Sequence, residues 1–243
     1  LISLSNLSDK RMREAKMGNW FDLEQTPWRG LANNSVAYTE KPDMETFMDE
    51  WLSLIKSKSG ERGIFNRVAS QKQAAKWGRR DPNLNYGTNP CSEIILRDKQ
   101  FCNLTEVVIR EEDTKETLLE KVRIATVLGT FQSTLDKFQF LSADWHKNTT
   151  EERLLGVSLT GIMDSKMMAN PDPKFLEQMR DEARKTNEKY AKLLDVPVSA
   201  AISCIKPSGT VSQLTNASSG IHSRHSPYYI RTVRTDKKDA LYE

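Results

Sequence analysis

The sequence predicts an α/β fold, and three observations carry that reading. Short apolar runs of strand length alternate with longer stretches whose apolar residues recur at helical spacing. Clusters of Pro, Gly, Asn and Asp, the turn formers, punctuate them. No internal repeat and no low-complexity linker interrupts this alternation, which is the pattern of layered helices and strands.

Leu1 to Leu7 is a short apolar-alternating piece, followed by the basic, Met-bearing stretch Lys10 to Lys16 and the aromatic turn Gly18-Asn19-Trp20-Phe21. Arg29 to Tyr38 (RGLANNSVAY) reads as a polar turn entering a strand. Asp43 can cap a helix whose apolar positions are Met44, Phe47, Met48, Trp51, Leu52 and Ile55, ended by Ser59-Gly60. Residues 66–90, closing in DPNLNYGTNP, are a loop by composition. Ile94 to Leu96, a turn at Asp98-Lys99 and the strand-like run Cys102 to Ile109 follow. Thr117 to Phe140 has a long helical pattern with Leu118, Val122, Ala125, Leu128 and Leu135 on one side. Leu154 to Met163 suits a tightly packed strand or helix, and Asp172 to Leu194 is a third amphipathic helix stopped before Pro197. Ala200 to Ile205 is an apolar strand candidate running into Pro207-Ser208-Gly209-Thr210.

The composition narrows the function classes. The chain has 243 residues, enough for one or two domains with a sizeable core, with 37% hydrophobic and 28% charged residues. No window approaches the ~18 apolar residues of a bilayer span, so no membrane role is expected. Thirty-six Lys+Arg against 33 Asp+Glu leave +3, too small a charge to suggest a nucleic-acid partner. Three cysteines, an odd and low number, argue against a disulfide-stapled secreted scaffold and for a reducing cytoplasm. Neither end carries a targeting pattern, and both read as cut from something longer.

Three constellations bear chemistry. Cys91 lies on a polar Pro-containing loop (NPCSE), and alternation puts Glu93 on the same side of an extended chain. Thiol, carboxylate and the Asn89 amide at one loop tip are the parts of a redox or nucleophilic site; the competing reading of a free cysteine is a small buried hydrophobe. The strand candidate ending in PSGT would present N–H groups and hydroxyls to an anion, or be an ordinary capped helix start. Gly220 to Arg231 gathers two His, two Arg and two Tyr. His-x-x-His with distant cysteines is not a zinc pattern, so no protein-held metal is expected, and RNA binding by this basic aromatic segment is a minority reading. Cys204 reads as core, and His146 as a surface or helix-end residue.

Taken in order, NPCSEI, a second cysteine in FCNLTEVV, KPSGTVSQL and GIHSRHSPYYIRTVR resemble the catalytic subunit of ribonucleotide reductase, most closely the monomeric adenosylcobalamin-dependent (class II) ribonucleoside-triphosphate reductases. RGLANNSV and LLGVSLTGIMD extend the resemblance over essentially the whole chain. It implies that residues 1–243 are a segment of one catalytic domain, part of a ten-stranded α/β barrel, with a finger loop at about 85–101 and a phosphate-binding loop at about 206–214. It implies Cys91 as the thiyl radical that abstracts the 3′ hydrogen of the ribose, Glu93 as base for the 3′-OH, and Asn89 as a hydrogen-bond partner of the ribose hydroxyls. Cys102 would be one of two reducing thiols, its partner lying outside this chain, and Ser208, Gly209, Thr210 and Val211 would hold the substrate phosphates. The implied cofactor is adenosylcobalamin, and the implied partners are a ribonucleoside triphosphate, a thioredoxin-like or dithiol reductant and the rest of the enzyme, without which these residues would not turn over. The alternatives are a class I large subunit, which takes its radical from a separate subunit, and an inactive nucleotide-binding remnant.

Overall fold

The structure, a computed structural model, describes residues 2–17, 29, 32–58, 60–230 and 236–240. The aromatic turn Gly18 to Phe21, Gly30-Leu31 of RGLANNSV, residues 231–234 of the basic aromatic tail and both chain ends lie outside them.

Strands β1 (Ile2–Ser5), β2 (Asn33–Tyr38) and β3 (Gly63–Asn66) form a parallel sheet in that order, with Leu4 opposite Ser35 and Val36 opposite Ile64. Helix α1 (Lys10–Glu14) lies between β1 and β2, and α2 (Met44–Ser57) between β2 and β3. Asp43 caps α2, its Oδ1 accepting from the Thr46 amide at 2.8 Å, and Lys58 ends it in the left-handed region at φ 53°. The Met44, Met48, Trp51, Leu52 and Ile55 stripe that marks α2 in the sequence faces solvent among the described residues. What α2 buries is Ser57 and Glu50, the latter clasped by Arg62 at 2.6 and 2.8 Å and by Arg13 at 2.9 Å. Burial alone would raise the Glu50 pKa, but the two guanidinium groups outweigh it and hold the carboxyl below its usual range.

The expected loop over 66–90 is half wrong. Helix α3 (Arg67–Ala75) occupies its first part, capped by Asn66, whose Oδ1 accepts from the Ala69 amide at 2.9 Å. It buries only Ser70 and Ala74, so it has no apolar stripe to betray it in the sequence. Arg67 and Gln71 donate to the Tyr86 and Leu84 carbonyls and strap the rest of the stretch onto α3. The chain then enters a small antiparallel hairpin, β4 (Gly87–Thr88) and β5 (Ile95–Leu96), whose tip is residues 89–94.

The second half centres on the parallel pair β6 (Leu104–Val108) and β7 (Gly156–Thr160), with Leu104 opposite Gly156, connected through α4 (Lys115–Gln132) and α5 (Ala143–Glu152). A 3-10 turn at Ile162–Asp164, α6 (Lys166–Ala169), α7 (Pro173–Leu193) and α8 (Thr210–Leu214) complete the order. Leu118, Val122 and Ala125 of α4 pack with Phe175, Met179 and Ala183 of α7 and with Val107 and Val157 to form the core. The helix expected to Phe140 ends at Gln132, where the Ser133 and Thr134 hydroxyls bond back to the Thr130 and Phe131 carbonyls. Leu128 and Leu135 are exposed rather than on the buried face, because Gly129 takes the inward place one residue on.

Ala200 to Ile205 is corrected too: it is extended, but only Ser203 forms a β-bridge, to Val157. The Leu155 and Val157 amides donate to the Ala201 and Ile202 carbonyls on one side, and among the described residues no strand pairs with its other side. Asn187, fully buried on α7, fixes this segment through bonds of 3.0 Å to Ser199 and Thr130. The strands thus make three separate sheets, and the barrel is not closed among the described residues. No described helix is long and apolar enough to cross a membrane.

Candidate functional site

The hairpin tip is built by Asn89. Its buried side-chain Oδ1 accepts from the Ile94 amide at 3.0 Å, its backbone amide donates to the Ile94 carbonyl at 3.4 Å, and its carbonyl accepts from the Ser92 amide at 3.0 Å. This closes the turn on which Cys91 is exposed, and Ser92, at φ 63°, takes the left-handed step that returns the chain to Glu93. The Glu93 side chain is 3% exposed, and among the described residues neither carboxylate oxygen has a well-directed hydrogen-bond donor.

Across from the tip stands Lys206, the first residue of KPSGT. Its Nζ lies 3.1 Å from Glu93 Oε1 and donates to Cys91 Sγ at 3.3 Å. Burial alone would lower its pKa, but the bonds to Glu93 and Cys91 outweigh that and leave it above the ordinary lysine value. Lys206 is the residue of this cluster that the sequence reading passed over. The signal was available: it is the lone cation of a strand-to-PSGT junction otherwise read for its hydroxyls and N–H groups.

The charge of the same carboxylate reaches the other two thiols. Cys102 is exposed as a residue, yet its thiol is pushed up, first by partial burial and then by the Glu93 charge. Cys204 is pushed up to about 12, again by burial first and Glu93 second. Cys204 is half-buried, and not a core residue in the full sense. Gly156 of β7 makes the room: a Cβ there would stand 2.5 Å from Leu104 Cδ2 and 3.1 Å from Cys204 Sγ. Glu93 lines a cavity of 230 Å³ with Ile202, Ser203 and Arg80, and Cys102 lines another of 330 Å³ with Phe138 and Leu154.

Ser208 is buried, and its Oγ accepts from the Ser212 amide at 3.1 Å, capping α8 from two residues before its start. Gly209, Thr210 and Val211 form the exposed first turn, where N–H groups have no acceptor within the helix. The following chain folds back: Arg224 pairs with Asp164 at 2.9 Å, and the Tyr229 hydroxyl donates to Gln213 of α8 at 2.6 Å. Tyr228 and His225 are exposed, and the His222 ring lies against the Ser219 carbonyl at 3.1 Å. Among the described residues no three His, Cys, Asp or Glu side chains gather as a metal site. His146 lies within α5 on the surface, its Nδ1 against the Asp136 carbonyl at 2.8 Å.

The structure therefore brings Cys91, Glu93, Asn89, Cys102 and Cys204 together, with the Ser208–Val211 turn joined to them through Lys206. The fold is that of ribonucleotide reductase catalytic chains. A B-12 dependent (class II) ribonucleotide reductase superposes with a TM-score of 0.66 at 21% identity, over 91% of this chain and 34% of that one. The Actinobacillus ureae class Id ribonucleotide reductase alpha subunit does so with a TM-score of 0.67 at 16% identity, over 94% and 50%. In sequence, the chain is similar to the adenosylcobalamin-dependent ribonucleoside-triphosphate reductase of Lacticaseibacillus paracasei, 28% identical over 257 residues, 88% of this chain and 32% of that protein. The reductase of the same name from Lactobacillus acidophilus is 29% identical over 88% of this chain. The probable one from Dictyostelium discoideum is 32% identical over 64% of it and 20% of that protein. No family model matches the chain. The chain spans about a third of the length of the curated relatives that match most of it.

Proposed function

We propose that this chain is the catalytic segment of an adenosylcobalamin-dependent ribonucleoside-triphosphate reductase, working with the remainder of the enzyme. The observation that carries the proposal is the tip itself: an exposed thiol and a buried, under-bonded carboxylate two residues apart, both met by the Lys206 ammonium.

The exposed Cys91 sulfur fits a thiol that a cofactor must reach from outside the chain. When bound, adenosylcobalamin supplies the one-electron chemistry that no side chain can start, with the cobalt carried by the cofactor. Cys91 as a thiyl radical takes the 3′ hydrogen of the ribose, and Asn89, which already shapes the tip, aligns the ribose hydroxyls. Glu93 accepts the 3′-OH proton, which eases departure of the 2′ hydroxyl as water. Two thiols, Cys102 and a partner from the remainder of the enzyme, supply the two electrons and two protons, one proton going to the departing hydroxyl and one hydrogen to C2′. They become a disulfide, which a thioredoxin-like or dithiol reductant reopens, and Cys91 returns the 3′ hydrogen. Ser208, Gly209, Thr210 and Val211 hold the substrate phosphates through the first turn of α8, where unpaired N–H groups and the helix dipole favour anions. We read the segment as one domain, its finger loop at 85–101 and its phosphate loop at 206–214. Three free thiols suit a reducing cytoplasm, and nucleotide effectors would act through regions beyond these residues.

The test is deoxynucleotide formation from CTP with a dithiol, with and without adenosylcobalamin, using this chain joined to the flanking sequence, beside a Cys91→Ser control. Product that needs the cofactor and is lost with Cys91→Ser supports the proposal. The class Id fold likeness favours a second reading as a class I subunit: product only after a radical-generating subunit is added selects it. Nucleotide binding without product in either arm selects the inactive remnant.

A further inference from the structure

We propose that Lys206 is a positioning residue that ties the finger tip to the strand wall and holds Cys91 and Glu93 in one arrangement; this deepens the reading of the tip as the reductase site. The tip's other described bonds, Asn89 to Ile94 and Ser92 to Asn89, are internal to the hairpin and do not decide where the tip sits. Lys206 reaches it from 115 positions away, with its ammonium on both functional atoms.

Its root is held as firmly as its head. The Lys206 amide donates to Ser158 Oγ at 2.8 Å, and Ser158 is fully buried on β7. Its carbonyl accepts from the Ser208 amide at 2.9 Å. Gly220, at φ 52°, lets a second backbone pass directly against that carbonyl, where a Cβ would clash. The wall, the phosphate turn and the tip therefore share this one residue. The chemistry of its contacts separates it from a phosphate ligand: its charge is spent in an ion pair with a buried carboxylate that has no well-directed hydrogen-bond donor among the described residues. Without the ammonium, Glu93 is a buried charge with no counter-ion, and Cys91 loses the donor that orients its sulfur.

The test uses hydrogen exchange on the 243-residue chain and kinetics on the same chain joined to its flanking sequence. In Lys206→Met, exchange of the peptide spanning 89–94 is expected to rise at least about fivefold while α4 and α7 keep their protection. Lys206→Arg, which keeps the charge, is expected to recover most of that protection. In the complete enzyme, Lys206→Met is expected to lower kcat at least about tenfold with KM for the nucleotide within about twofold, because positioning acts on the reacting geometry. Unchanged exchange at the tip, or an equal rise in α4 and α7, overturns the proposal, as does a rise in KM with kcat preserved, the mark of a phosphate contact. The exchange arm needs no turnover, so failure of the reductase reading and failure of this proposal are told apart.

Discussion

Arg80 grips Glu152 with two bonds, Nε to Oε1 at 3.1 Å and Nη2 to Oε2 at 2.7 Å, and uses its remaining terminal nitrogen to donate to the Ile95 carbonyl at 2.9 Å. One buried guanidinium thus clamps the base of the finger hairpin to the end of α5, and Gln100 adds a bond of 2.8 Å to the same Glu152. Breaking one partner of a buried pair strands the other. Arg80→Ala is therefore expected to cost about 3–5 kcal/mol in urea denaturation; a loss below about 1 kcal/mol would show that the clamp is not needed.

Asn89 offers a milder test. Asn89→Ala leaves the Ile94 amide, now bonded at 3.0 Å, without its acceptor inside the protein. A loss of about 1–3 kcal/mol is expected from the denaturation midpoint, and stability equal to the parent chain would contradict the role given to this side chain.

Gly156→Ala probes the space between the strands. The new Cβ meets Leu104 Cδ2 at 2.5 Å and Cys204 Sγ at 3.1 Å, so β6 and the 200–205 segment must shift. Overpacking of this kind is expected to cost about 1–3 kcal/mol, read from thermal unfolding. A neutral or stabilising change would mean that the site adjusts freely.

Asp164 sets an acid limb. Burial would raise its pKa, but its bonds to Arg224 and to the Ser218 amide outweigh that and hold it below the usual carboxylate range. A depressed carboxyl stabilises the fold at pH above its unfolded value of about 3.9 and loses that contribution as pH falls through the folded one. Asp164→Asn is expected to weaken the chain at pH 6, with the deficit shrinking steadily as pH falls below the unfolded value of about 3.9, by urea midpoints. A deficit that does not shrink would sink this assignment.

Cys204 sets an alkaline one. With its thiol pushed up to about 12, it stays protonated well above the ordinary thiol range. Its contribution to stability is complete below the unfolded thiol value of about 8.5 and is lost as pH rises through the folded one. At pH 9 in the native chain, iodoacetamide is expected to label Cys204 at least about tenfold more slowly than in urea. Equal rates would place its sulfur in water.

Much of the site was legible in the sequence. NPCSE announced a polar loop tip, because a Pro-bearing turn is a local property, but not its geometry. Ser92 turns left-handed rather than extended, so Cys91 is exposed while Glu93 is buried, and it is Lys206 rather than alternation that links them. The cap at Asp43 and the helix after Asp172 were legible as local properties too, while Leu154 to Met163, open between strand and helix in the sequence, was settled as β7 by its pairing with β6. Helix α3 was not, since a helix that buries only a serine and an alanine leaves no periodic trace. The overextended α4 pattern failed because hydroxyl bonds to the last carbonyls, invisible to apolar spacing, end that helix.

The sequence by itself determined the alternation of helices and strands, the chemistry at the finger tip and the hydroxyl-rich turn before α8, all written in neighbouring residues. Only the tertiary structure decided that Lys206 meets Cys91 and Glu93, that Arg80 and Glu152 clamp the hairpin, and that Cys204 comes under the Glu93 charge. Those pairings join residues tens to more than a hundred positions apart. A charge recognises its partner through distance and burial, and both are set by how the strands and helices pack rather than by any local pattern.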